Sequence, residues 1–155
     1  MLLQHQLHPD ATSYHEPICV ILPPSCDQEV ARSAIRAIMT RHAVLRTHFA
    51  FVGGELGFVQ VVPPADCNVV QLNVCDNHEA WAARVRSELL TPFDLLAHPP
   101  IRGLFLPAGS ASKAQLLLVM HHVSVDMASL TIIATEVRWP TPAPALFQNA
   151  CPPAS

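Results

Sequence analysis

QLLLVMHHVSVDMASL, residues 115–130, joins an unbroken apolar run to two adjacent histidines and then to a segment with helical spacing. A strand that is apolar at consecutive positions is covered on both faces, so 115–122 is read as the central strand of a sheet. From Asp126 onward, Met127, Leu130, Ala134 and Val137 recur at intervals of three and four, which predicts a helix to about Trp139. Successive side chains of a strand point to opposite faces, so His121 and His122 must have different tasks. One imidazole can stand at a cleft as a proton acceptor near neutral pH while the other is held inside the fold. Two structural roles are open to Asp126: capping the helix it precedes, or pairing with an arginine to lock the loop.

The remaining elements are read outward from that strand. PICVIL (17–22) is a β-branched run closed by Pro23 and Pro24, which cannot donate to a ladder. Ser25 and Gln28 have capping-box spacing, and Val30, Ala34, Ile35 and Ile38 repeat at helical intervals to about His42. LRTHFAFV (45–52) and FVQVV (58–62) flank Gly53, Gly54 and Gly57, residues that tolerate the positive φ of a hairpin loop. NVVQLNV (68–74) is a further strand. Asp76 with Glu79 is read as the cap of a helix that carries Trp81, Val85 and Leu89 on one face and stops near Pro92. IRGLFL (101–106) is the last strand before the central one. Prolines 140, 142, 144, 152 and 153, with no periodicity between them, predict an irregular tail over 140–155. Strands mixed with helices in this order give an α/β or α+β lobe, a mixed sheet with helices packed on it.

Composition narrows the function. The 155 residues suit one domain or one lobe of something larger. A net charge of -3 and nine scattered basic residues argue against a nucleic-acid partner. Half of the residues are apolar and 14% are charged, a surplus of apolar surface that expects a partner. No apolar stretch approaches the ~18 residues of a membrane span, and MLLQHQLHPD lacks the features of a secretory signal, so a cytoplasmic location is the default expectation. Cys19, Cys26, Cys67, Cys75 and Cys151 contain no C-x-x-C pair and are read as free thiols, several of them in the core. A metal at the double histidine would need a third ligand and a bent strand, and the other histidines form no H-x-x-x-H or H-E-x-x-H. Ser124 and Ser129 lack a G-x-S-x-G elbow.

Three further stretches bear on the reading: YHEPICVIL (14–22), MTRHAVLRTHF (39–49) and TPFDLLAHPPIRGLFL (91–106). With MHHVSVDMAS (120–129) they resemble, in order and interval, the condensation domains of nonribosomal peptide synthetases over most of residues 2–138. The resemblance implies that residues 1–139 form the amino-terminal lobe of such a domain, with the chloramphenicol acetyltransferase-like fold. It implies a reaction in which the amine of an aminoacyl thioester on one carrier protein attacks the acyl thioester on another, forming an amide. No metal or bound cofactor is implied. Each substrate would arrive on the phosphopantetheine arm of its carrier, through a tunnel between two lobes.

By motif, His122 matches the second histidine of H-H-x-x-x-D-G, the general base or positioner of the nucleophilic amine, and His121 matches the first, which points into the lobe. Asp126 matches the aspartate held by an arginine, with Arg46 of R-H-x-x-L-R-T the first candidate and Arg41 the second. R-H-x-x-L-R-T and P-F-D-L favour condensation over an epimerization domain or another carrier- or coenzyme A-dependent acyltransferase of the superfamily. Met127 stands where the motif has glycine, adding a flexible side chain that narrows the tunnel or turns inward with the helix, where it would begin the apolar stripe. The family's first motif, S-x-A-Q, would lie upstream of Met1, and no carboxy-terminal lobe follows the helix, so the expectation is an incomplete domain, truncated at both ends. The alternative of another class is a non-catalytic remnant that binds a carrier protein or a second lobe.

Overall fold

A computed structural model describes residues 7–8, 10–53, 57–65, 70–110 and 112–138. The strands are β1 (His15–Leu22), β2 (His48–Phe51), β3 (Phe58–Val61), β4 (Leu72–Val74), β5 (Ile101–Leu106) and β6 (Ala114–His121). The helices are α1 (Gln28–Arg41), α2 (Trp81–Leu90) and α3 (Met127–Arg138), with a 3-10 turn over Ala43–Arg46. β1, β6, β5 and β4 form one sheet in that order, with β6 antiparallel to both neighbours and β4 parallel to β5. The expected mixed sheet is therefore present, with 115–121 in its interior.

The apolar run of β6 is explained by two cores. Leu116, Leu118 and Met120 face one core, where Ile35, Ile38 and Met39 of α1 meet Leu130, Ile133 and Val137 of α3. Leu117 and Val119 face the other, with Phe93, Leu95, Leu104 and the partly buried Trp81, Val85 and Leu89 of α2. Helices thus cover both faces, and the alternation of side chains assigns each residue of β6 to one of them. Gly103 lets α1 approach the sheet: a Cβ there would lie 2.9 Å from Leu72 Cδ1 and 3.2 Å from Ile35 Cδ1.

Element ends differ from the sequence reading where a stronger acceptor was at hand. The cap of α1 is Asp27, whose carboxylate accepts from Val30 N, and not Ser25, which lies in the turn closed by Cys26 N on the Pro23 carbonyl. α2 begins after Ala80 with no side-chain cap, and Asn77 Oδ1, not Asp76, accepts from the Glu79 amide. The stripe of α3 is Leu130, Ile133 and Val137; Met127 is 77% exposed and lies outside it. β2 and β3 form the expected hairpin, with positive φ at Gly53 and Gly57. Gly54, residues 68–69 of the expected strand, Trp139, Cys67, Cys151 and the 140–155 tail lie outside the described residues.

Candidate functional site

The histidine loop is fixed at its root by both neighbouring segments. His121 N donates to the Pro100 carbonyl at 3.0 Å, just before β5, and His122 N donates to the Tyr14 carbonyl at 2.8 Å, just before β1. Within the loop the His121 carbonyl accepts from Ser124 N at 2.9 Å and from Ser124 Oγ at 2.8 Å. Val123 packs on the second core and Val125, 5% exposed, sits in the first, so the loop is pinned on both sides of the sheet. A loop held this way is a rigid mount.

The two imidazoles are held in opposite tautomers. His121 is fully buried, and its Nδ1 accepts from Val123 N at 3.0 Å, so its proton is on Nε2. His122 Nδ1 lies 2.8 Å from the Val125 carbonyl, which can only accept, so Nδ1 carries the proton. In the neutral ring of His122, Nε2 therefore has the free lone pair. The side chain of His122 is 40% exposed, and Glu16 Oε1 stands 3.5 Å from Nδ1. A positive charge on this ring would have a carboxylate beside it.

Among the described residues Asp126 has no arginine partner. It is exposed and caps α3, its Oδ1 accepting from Ser129 N at 2.8 Å and Ser129 Oγ at 2.6 Å. The Ser129 hydroxyl, then the Ser129 amide, hold its carboxyl below the ordinary value, with His122 adding to the effect. Of the roles left open by the sequence, capping is the one observed. Arg46 instead donates to the carbonyls of Met39, Thr40 and Pro63 at 2.8, 3.0 and 2.9 Å, closing the end of α1. Arg41 Nη1 reaches Glu136 Oε1 of α3 at 3.1 Å, and His42 Nε2 reaches Oε2 of the same carboxylate at 2.9 Å. R-H thus ties α1 to the far end of α3.

Sequence reasoning missed the buried ion pair of Glu88 and Arg102. Glu88 and Arg102 are 8% and 7% exposed, with Arg102 Nε 3.3 Å from Glu88 Oε2. Burial pulls the Arg102 guanidinium below its ordinary range while Glu88 pulls it back. The signal was present: each is a single charge at a position where an apolar residue is expected, Arg102 within IRGLFL and Glu88 beside Leu89 on the buried face of α2. Glu16 was also overlooked, although it lies two residues after Tyr14. Cys19, Cys26 and Cys75 are free, and burial, then Asp27, raises the Cys26 thiol above its ordinary value, so it is no nucleophile near neutral pH.

Residues 1–138 match the family model described as Condensation domain. Tyrocidine synthase 2 of Brevibacillus parabrevis is 34% identical over 137 residues, 88% of this chain and 4% of that protein. Nonribosomal peptide synthetase agiA of Aspergillus flavus is 33% identical over 85% of this chain and 2% of its own length. Among solved structures, the starter condensation domain of rhizomide synthetase RzmA superposes with a TM-score of 0.75 at 20% identity, covering 97% of this chain and 38% of that one. The first condensation domain of the calcium-dependent antibiotic synthetase gives 0.69 over 88% of this chain and 34% of its own. The chain spans a few per cent of these curated relatives and about a third of the solved domains.

Proposed function

The chain belongs to the condensation-domain family, and on that premise we propose that residues 1–139 act as the amino-terminal lobe of an amide-forming acyltransferase that takes both substrates from carrier proteins. The observation that carries this reading is the anchored Nδ1–H of His122, which leaves Nε2 as an acceptor on a half-exposed ring. An amine held at Nε2 attacks the thioester carbonyl; the C–N bond forms, the amine proton passes to Nε2, and the C–S bond breaks. The departing pantetheine thiolate takes that proton from the imidazolium. Glu16 Oε1 stands 3.5 Å from Nδ1 of the imidazolium that forms between the two transfers. The second wall of the site is supplied by a carboxy-terminal lobe, and the phosphopantetheine arm of each carrier brings its substrate.

The test combines the chain with a condensation-domain carboxy-terminal lobe, an acyl-loaded carrier and an aminoacyl-loaded carrier. His122→Ala is expected to lower amide formation by ~10²–10⁴-fold, the usual contribution of a general base. Equal turnover by both proteins removes the catalytic reading. A second reading, a lobe that docks a carrier without catalysis, is favoured by Met127, a 77% exposed side chain at the motif's glycine position. Carrier binding without turnover by the wild type, with turnover recovered by Met127→Gly, would support it; turnover by the wild type would refute it.

A further inference from the structure

We propose that Arg102, held by Glu88, is a positioning residue for the His122 ring, acting through Phe93 and His121; this rests on reading His122 as the reacting imidazole. Arg102 Nη2 donates to the Glu88 carbonyl at 2.6 Å and to the Thr91 carbonyl, so it closes the last turn of α2. Its Nε lies 3.3 Å from Glu88 Oε2, and Glu88 Oε1 accepts from Asn73 Nδ2 at 2.8 Å. The guanidinium carbon stands 4.0 Å from the centroid of Phe93. Phe93 meets His121 edge-on, at 5.9 Å and 89°, and His15 at 5.1 Å and 90°. His15 Nδ1 in turn donates to the Leu89 carbonyl at 2.9 Å. The end of α2, Phe93 and both histidine rings therefore form one wall.

Stability alone gives no reason for a charge in this place, since apolar residues of similar volume often serve a buried site as well or better. A planar guanidinium stacked on a ring, with its fork committed to fixed carbonyls, defines the position of that ring in a way an aliphatic side chain does not. Phe93 so placed fixes His121, whose Nδ1 holds the Val123 amide at the start of the loop. Two residues further on, the Val125 carbonyl orients His122. The order of action runs from Arg102 to Phe93, then His121, the loop and His122.

The experiment is imidazole ¹⁵N spectroscopy of the whole chain, with the exchange rate of the His122 Nδ1 proton as readout. Phe93→Leu leaves the ion pair in place and Arg102→Lys keeps the charge without the fork. Ile35→Ala is the control, a core truncation on the opposite face of the sheet. In the wild type Nδ1 is protonated and Nε2 is not. Phe93→Leu and Arg102→Lys are expected to speed exchange at least about tenfold, as a more open loop requires, and to mix the tautomers, while Ile35→Ala does neither. If Arg102→Lys fails to fold, Phe93→Leu decides. His122 signals that stay as in the wild type, or that change equally in Ile35→Ala, overturn the proposal. The readout needs no turnover, so failed amide formation with these shifts present would count against the proposed function and leave the positioning role intact.

Discussion

Glu88 and Asp126 are two carboxylates that the fold uses in opposite ways. Glu88 is buried against Arg102, whereas Asp126 is exposed and bonded to a serine of its own helix. The family motif directs attention to Asp126 as the ion-paired lock. The difference teaches that the buried pair is one the motif does not contain, while the motif aspartate starts α3. A charge deep in the fold has to be matched by a partner, and one at the surface needs only a local donor.

Replacement of one member of each pair measures that contrast. Glu88→Leu leaves Arg102 buried without its counter-ion and should cost on the order of 3 to 5 kcal/mol in urea unfolding. The double replacement Glu88→Leu with Arg102→Met should recover most of the loss; an additive double variant would show that the pair is not coupled. Arg46→Ala, which frees two carbonyls at the end of α1 and that of Pro63, should cost about 2 kcal/mol, and should not alter the His122 tautomer. Glu136→Gln removes a half-exposed pairing with Arg41 and His42 and should cost ~0.2–1 kcal/mol, less as salt is raised.

Asp126→Asn should have the smallest effect near neutral pH, because asparagine also caps a helix. Its signature is in the pH dependence. The carboxyl of Asp126 is held below its unfolded value, so the stability it contributes is complete above about 3.9, the ordinary aspartate value, and is lost as pH falls through the lower folded value. Acid unfolding of Asp126→Asn should therefore be flatter than that of the wild type below that value. Superimposable acid limbs would show that the cap carries no charge-dependent part.

Much of the fold was legible because period and burial coincide. An eight-residue strand apolar at nearly every position can only lie between two covers, and the strand IRGLFL was readable to its last residue. Strand alternation separated the tasks of the adjacent histidines, although β6 ends at His121 and His122 lies in the turn that follows. Caps were not, because Ser25 and Asp27 compete for one helix start and only the turn at Pro23 decides between them. The partner of Asp126 was misjudged because long-range pairing depends on where chains cross, while Ser129 was three residues away. Arg41 found Glu136 across α1 and α3, a contact that no local spacing encodes.

The most direct test of the account is acylation of the native chain by diethyl pyrocarbonate, with the sites followed by peptide mass spectrometry. His122, half-exposed with the lone pair of its neutral ring on Nε2, should react in the native chain, and fully buried His121 should stay unmodified until the chain unfolds. Modification of both at one rate, or of His121 first, would contradict the placement on which the proposed chemistry depends.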